Sequence, residues 1–268
     1  MSRKPAPASR LGETFAACRA DDRAALIGYL PVGYPTVEDS LGTLRTMVTA
    51  GCDIVEIGIP YSDPVMDGPT VATAAQVALA NGCRVRDVFT AAETVAAAGA
   101  QPVVMTYWNL VLKYGVDAFA RDLAAAGGVG VITPNLIPEE GAQWHAASQA
   151  HDLDRIYLVA PSSTPERLAM TLDNCSGFVY AASTMGVTGA RDNVSSMAPE
   201  LCARVREYSD IPIGVGLGVR NGAQAAEIAG YADGVIVGSA IVSASGEGER
   251  AVAELVGELA DGVRGDVR

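Results

Sequence analysis

The sequence predicts an α/β protein folded as a single (β/α)8 barrel, the TIM-barrel architecture, and three observations predict it. Eight short apolar runs recur along the chain, each bounded by Gly, Pro or Asp. Parallel strands buried on both faces read this way, because neither face meets water. A helical, Ala-rich stretch follows each run, which is the alternation of a parallel sheet wrapped by helices. The length of 268 residues suits one such barrel, which takes about 250. An open, doubly wound sheet shares the alternation, and pattern alone does not separate the two.

The expected strands are 25–30, 53–58, 102–107, 129–133, 155–159, 177–181, 212–215 and 234–237. A helix over 11–20 precedes the first strand, and two helices, 69–80 and 85–98, fill the second crossover where one would suffice. Further amphipathic stretches lie at 36–50, 116–126, 139–150 and 164–174. Thr36 ahead of Glu38 and Asp39, and Ser163 ahead of Thr164-Pro165-Glu166, supply capping signals. Residues 1–10 carry Arg3, Lys4, Pro5 and Pro7 but no apolar run, so they read as a disordered tail rather than a signal peptide. No linker or low-complexity tract divides 11–268, which reads as one domain.

Hydrophobic residues make up 49 % of the chain, enough for a large core, and the net charge is −12 with no basic face. Nucleic acid and anionic membrane are excluded as partners on that charge, and no apolar run is long enough to span a bilayer. The acidic balance does not exclude a phosphorylated ligand, since salt screens distant charge beyond roughly 8 Å and local amides decide. Cys18, Cys52, Cys83, Cys175 and Cys202 are odd in number and scattered, without a C-x-x-C pair. They read as reduced thiols of a cytoplasmic protein, not as a disulfide frame or zinc site. His145 and His151 are off the i, i+4 spacing that serves a metal and read as surface histidines, so no metal is expected. Trp108 and Trp144 read as packing or interface residues.

Chemistry concentrates after the second strand. In Asp53-Ile-Val-Glu-Ile-Gly-Ile-Pro60, period-two alternation sets Ile54, Glu56 and Gly58 on one face and Val55, Ile57 and Ile59 on the other. The second face is wholly β-branched and suits the outer helices. Glu56 then points into the barrel near its C-terminal mouth, with Gly58 leaving open space beside it. A buried Glu is costly unless paired or used, and burial raises its pKa toward neutrality, which suits proton transfer. The alternative is a rim glutamate paired structurally. The following loop, Tyr61-Ser-Asp-Pro-Val-Met-Asp-Gly-Pro-Thr70, adds Asp63 and Asp67 at the face where barrel enzymes keep their chemistry. Taken alone, Asp67 just before Pro69 also fits a helix-capping turn. Late in the chain, Gly214-Val-Gly-Leu-Gly218 follows the seventh strand and Gly238-Ser239 the eighth. Backbone amides of loops in these two places hold phosphate in many barrels, although a lone Gly-x-Gly is also ordinary turn chemistry.

The run Val-Glu-Ile-Gly-Ile-Pro-Tyr-Ser-Asp-Pro-Val-Met-Asp-Gly-Pro-Thr resembles the signature of the tryptophan synthase alpha subunits. Tyr29-Leu-Pro-Val-Gly-Tyr-Pro35, Thr106-Tyr-Trp-Asn-Leu110 and Ser183-Thr-Met-Gly-Val-Thr-Gly189 extend the similarity to that family's first strand, third strand and sixth loop. The resemblance implies retro-aldol cleavage of indole-3-glycerol phosphate, with Glu56 and Asp67 in the catalytic positions. It implies substrate contacts at Tyr29, Tyr180 and Thr188, the last on a lid over 183–193, and phosphate contacts at Gly189, Leu217, Gly218, Gly238 and Ser239. It also implies an α2β2 complex in which Asp63, Pro64 and Asn109 face a beta subunit. Pyridoxal phosphate is expected only in that partner, and no cofactor in this chain. Asn135 and Thr184 depart from the Asp and Arg usual in the family, which bears on hydrogen bonding beside the site and on lid closure. The competing readings are another phosphate-binding barrel, an isomerase or epimerase, and a silent activator of a beta subunit.

Overall fold

The computed structural model describes residues 4–182, 197–216 and 218–266. Helix α1 (Arg10–Ala20) precedes strand β1 (Ala25–Pro31), and α2 (Val37–Ala50) leads to β2 (Ile54–Gly58). Two helices, α3 (Pro69–Ala80) and α4 (Asp87–Ala98), precede β3 (Gln101–Met105). Next come α5 (Trp108–Tyr114), α6 (Val116–Ala125), β4 (Gly130–Ile132), a 3-10 turn at Pro138–Glu140, α7 (Ala142–Ala150) and β5 (Asp154–Ile156). Then follow β6 (Leu158–Val159), α8 (Pro165–Asn174), β7 (Val179–Ala182), α9 (Met197–Arg206) and β8 (Ile213–Gly216). The chain ends through α10 (Gly222–Ala229), β9 (Gly234–Val237), α11 (Ser239–Ser245) and α12 (Glu249–Arg264).

All neighbours in the sheet pair in parallel, in the order β5-β4-β3-β2-β1-β9-β8-β7-β6. The two ends of that order are halves of one run, separated only by Tyr157. Ile156 accepts from the Thr133 N–H on one side, and Tyr157 accepts from the Tyr180 N–H on the other. The fifth strand therefore bonds β4 with its first half and β7 with its second, and the sheet closes into a barrel. Eight strands were expected and nine segments are found, because the run 155–159 changes pairing partner at Tyr157, which belongs to neither segment.

Other boundaries shift for local reasons. The stretch 139–150, expected as one helix, breaks at Gly141 into the 3-10 turn and α7. The cap of α8 is Thr164, whose hydroxyl accepts from the Arg167 N–H, while Ser163 accepts from the Ala160 N–H. The third strand ends at Met105, and its expected tail turns into α5. Lys4 bridges Ser209 at the start of the described chain.

Two apolar layers result. Leu11, Phe15, Ile27, Ile54, Ile132, Phe178 and Ile236 pack in the lumen, where the rings of Phe15 from α1 and Phe178 lie 5.6 Å apart. Val55, Ile57, Val104, Val215 and Val235 pack outward among the helices. The alternation read along β2 is thus realised. At the N-terminal end, Arg23 grips Asp53 through two hydrogen bonds of 2.8 Å, and Asp53 also accepts from the Leu26 N–H.

Helix α12 offers a paired test of this packing. A Cβ on Gly262 would lie 2.9 Å from Gly222 Cα, whereas one on Gly257 would meet nothing within 4 Å. Replacing a helical Gly by Ala gains up to about 1 kcal/mol in open space, but crowding rigid backbone costs about 1–3 kcal/mol. Urea unfolding should therefore show Gly257→Ala stabilised and Gly262→Ala destabilised.

Candidate active site

Strand β2 carries Glu56 into the lumen at 1 % exposure, and one carboxyl oxygen, Oε1, has no hydrogen-bond partner. With burial as the cause, its pKa rises from 4.5 to about 8. Its register neighbours are Tyr29 on β1 and Val103 on β3. Burial raises the phenols of Tyr29 and Tyr180, and the Glu56 charge adds to both, so the three groups lie within electrostatic reach of one another. Tyr29 also feels Asp67, which ties the two acids to one tyrosine.

Glycines seat both phenols. The space beside Glu56 that Gly58 was expected to leave open is occupied by the Tyr29 phenol, since a Cβ on Gly58 would collide with it. A Cβ on Gly216 would come within 2.5 Å of the Tyr180 hydroxyl. Each phenol occupies the place that a side chain on the neighbouring strand would take.

Asp67 sits half-buried in the loop between β2 and α3. Burial raises its pKa, and a hydrogen bond from the Tyr107 side chain opposes the rise. The Tyr107 hydroxyl accepts from the Met66 N–H at 3.0 Å, and its ring stacks on Tyr61 at 4.9 Å. Tyr107 is therefore the clamp of this loop, a role sequence reasoning missed because the residue was assigned to the end of a strand. Asn135 has a comparable unforeseen role: its Oδ1 accepts from the Trp108 N–H at 2.9 Å, fastening the start of α5 to the loop after β4.

A cavity of about 490 Å³ opens here, with Asp67, Met105, Tyr180 and Gly216 in its wall. Glu56 is not among the lining residues, but its charge reaches Tyr180, which is. The glycine turns fall on the same rim. Gly218 follows β8 with φ +70°, in the left-handed region that favours glycine. Gly238 caps α11, and its α-carbon lies where a Cβ would be 3.7 Å from the Tyr29 ring. Ser239 opens α11, whose first N–H groups have no intrahelical partner. The C-terminal ends of β8, β9, β1 and β2 are successive neighbours, so glycine turns and acids share one end of the barrel. Thr184, Thr188, Gly189 and Leu217 lie outside the described residues.

Asp63 and Asn109 are exposed and Pro64 half-buried. Asn109 Nδ2 donates to the Tyr61 hydroxyl at 3.5 Å, so these residues adjoin the Asp67 loop. The histidines are half-buried instead of superficial: His145 meets the Tyr157 hydroxyl at 3.2 Å, and His151 meets Asp117 at 3.0 Å. Trp144 is fully buried and packs edge-on against Trp108. All five cysteines are free and buried. Among the described residues no group of His, Cys, Asp and Glu could hold a metal ion, and no helix is long and apolar enough to cross a membrane.

The family model described as tryptophan synthase alpha chain matches residues 15–263. The tryptophan synthase alpha chain of Nocardia farcinica is 70 % identical over 256 residues, covering 96 % of each chain. That of Mycobacterium avium is 67 % identical over 265 residues, covering 98 % of each. A chain in a structure of Mycobacterium tuberculosis tryptophan synthase superposes with a TM-score of 0.94 at 66 % identity, over 96 % of this chain and 99 % of that one. The chain belongs to the tryptophan synthase alpha chain family.

Proposed function

We propose that this chain cleaves indole-3-glycerol phosphate into indole and glyceraldehyde 3-phosphate and hands the indole to a tryptophan synthase beta subunit. The observation that carries this reading is the Glu56 carboxyl, buried in the lumen with one oxygen unpartnered and a pKa of about 8. A retro-aldol cleavage cannot expel indole as a free carbanion. Protonation of ring carbon C3 by Glu56 gives an indolenine; the bond from C3 to the side chain then breaks, and its electron pair restores the aromatic ring. The side-chain hydroxyl becomes the aldehyde and returns its proton to Glu56, so the proton count closes without a cofactor. An acid with a pKa near the working pH serves both steps, each worth about 10²–10⁴ in rate.

Asp67, as a carboxylate, accepts from the indole N–H and stabilises the positive charge that grows there. The Tyr107 hydrogen bond favours that ionised form against burial. Tyr29, Tyr180 and Thr188 take the substrate-contacting roles. The backbone around Gly189, Leu217, Gly218, Gly238 and Ser239 binds the phosphate. Asp63, Pro64 and Asn109 face the beta subunit in an α2β2 complex, pyridoxal phosphate belongs to that partner, and the five free thiols fit the cytoplasm. An isomerase or epimerase would use the glycine turns but has no need of Glu56 and Asp67 together, and a silent activator would need neither acid.

Indole release measured with and without a beta subunit tests the reading. Glu56→Gln should lose about 10²–10⁴ in kcat/KM, and activity of the mutant close to that of the wild type would refute the role. Wild-type kcat/KM should fall as pH rises through about 8, because the acid form is lost. The same proton links to stability. The folded chain holds it up to about pH 8, while the unfolded chain releases it near 4.5, so stability is lost as pH rises through that window. Thermal melts should show Glu56→Gln gaining on the wild type between those limits. Tyr107→Phe should raise the Asp67 pKa further and lower kcat/KM by about tenfold, the scale of one hydrogen bond to a charged group; an unchanged value would remove Tyr107 from the account.

A further inference from the structure

One stretch of the active-site wall is a turn tied down by a side chain from a distant helix. Ala160 and Ser163, in the turn that follows β6, both line the cavity. The turn closes on itself: the Ser163 N–H donates to the Ala160 carbonyl at 2.9 Å, and the Ala160 N–H donates to the Ser163 hydroxyl at 3.0 Å. Neither bond ties it to the rest of the barrel. That tie comes from α9, where the Arg204 guanidinium donates to the Pro161 carbonyl at 3.0 Å and, through its other amino group, to the Ser163 carbonyl. Helix α9 is a firm base for this reach, because Ala198, Leu201, Cys202 and Val205 bury one of its faces and the helix packs on β7.

A planar guanidinium that meets two carbonyls at once fixes the angle of the turn as well as its distance, which a point donor such as lysine does less well. The two carbonyls are not sealed. Pro161 and Ser163 are only half-buried, and Ser162 and Thr164 are exposed, so without Arg204 water would take its place at little cost in stability. What would be lost is the position of the wall. The Arg167–Glu139 ion pair crosses the same rim, but its side chains are 41 % and 42 % exposed, and such a pair contributes about 0–1 kcal/mol. We propose that Arg204 is a positioning residue of the active site, holding the turn after β6 in place as cavity wall and so setting substrate affinity without touching the reacting atoms. Its effect on substrate rests on the indole-3-glycerol phosphate reading above; its hold on the turn does not.

Two readings on the full chain test this. In Arg204→Ala, hydrogen exchange followed by mass spectrometry should quicken about tenfold at the amides of 160–164, the scale of one bond from a charged group, and keep wild-type rates in β1 and β2. The KM for indole-3-glycerol phosphate should rise about tenfold with kcat within about twofold of wild type, the signature of binding lost equally from ground and transition states. Arg204→Lys should recover part of both. Arg206→Ala is the control: Arg206 lies on the same helix and donates to the Tyr231 carbonyl at 2.6 Å, but Tyr231 is not part of the cavity wall, so KM and the exchange of 160–164 should stay at wild-type values. Unchanged exchange at 160–164 in Arg204→Ala, faster exchange throughout the barrel, or a fall in kcat at constant KM each overturns the role. Should Arg204→Ala fail to fold, wild-type exchange and KM in Arg204→Lys overturn it instead. Failure of the wild type to cleave indole-3-glycerol phosphate would overturn the proposed reaction, and the exchange rates would still decide whether Arg204 holds the turn.

Discussion

Glu56 stands in the lumen with one oxygen unpaired, and removing a carboxylate from water without compensation costs several kcal/mol unless the group takes up a proton. The barrel accepts that condition and builds around it. Ile54, Val103 and Ile27 make the neighbouring lumen apolar, which keeps the acid form in place at neutral pH. Tyr29 and Tyr180 lie within electrostatic reach of it, in the places that Gly58 and Gly216 leave free. A side chain at either position would collide with the phenol beside it. The chemistry of the site is therefore a consequence of what is withheld from Glu56 more than of what is given to it.

The two ends of the barrel divide the work. At the N-terminal end, Asp53 receives two bonds from Arg23 and one from the Leu26 backbone, all at 2.8 Å. That carboxylate is fully engaged and serves the structure. Three residues along the same strand, Glu56 is left with an unpartnered oxygen, and further on Asp67 rides a loop held by Tyr107. Three acids within one short stretch thus occupy three environments, and environment alone separates a structural ion from a proton carrier.

Much of this was legible in the sequence, and for identifiable reasons. The strands show because both faces are buried and the apolar runs are continuous; Gly234–Val237 was bounded to the residue. The inward aim of Glu56 follows from period-two alternation and needs no further knowledge. What escaped depends on contacts between distant segments. The change of partner at Tyr157 has no sequence mark, since Arg155-Ile-Tyr-Leu-Val159 reads as a plain strand. The clamp from Tyr107 to Met66 joins residues 41 apart, and the one from Asn135 to Trp108 joins residues 27 apart. Asn135 departs from the family pattern, but only the fold reveals that it fastens a helix start. The open space expected beside Gly58 was filled because alternation gives a direction and not a neighbour.

Glu56 stays protonated near neutral pH because burial strips its charge of water and no cation among the described residues pairs with it. Isotope-edited infrared spectroscopy of the wild type, with 13C in the glutamate carboxyls and Glu56→Gln as the reference, measures this directly through the protonated carboxyl band. One glutamate band, absent from Glu56→Gln, should persist through pH 7 and disappear near pH 8. A Glu56 that ionises near 4.5 with the rest would contradict it.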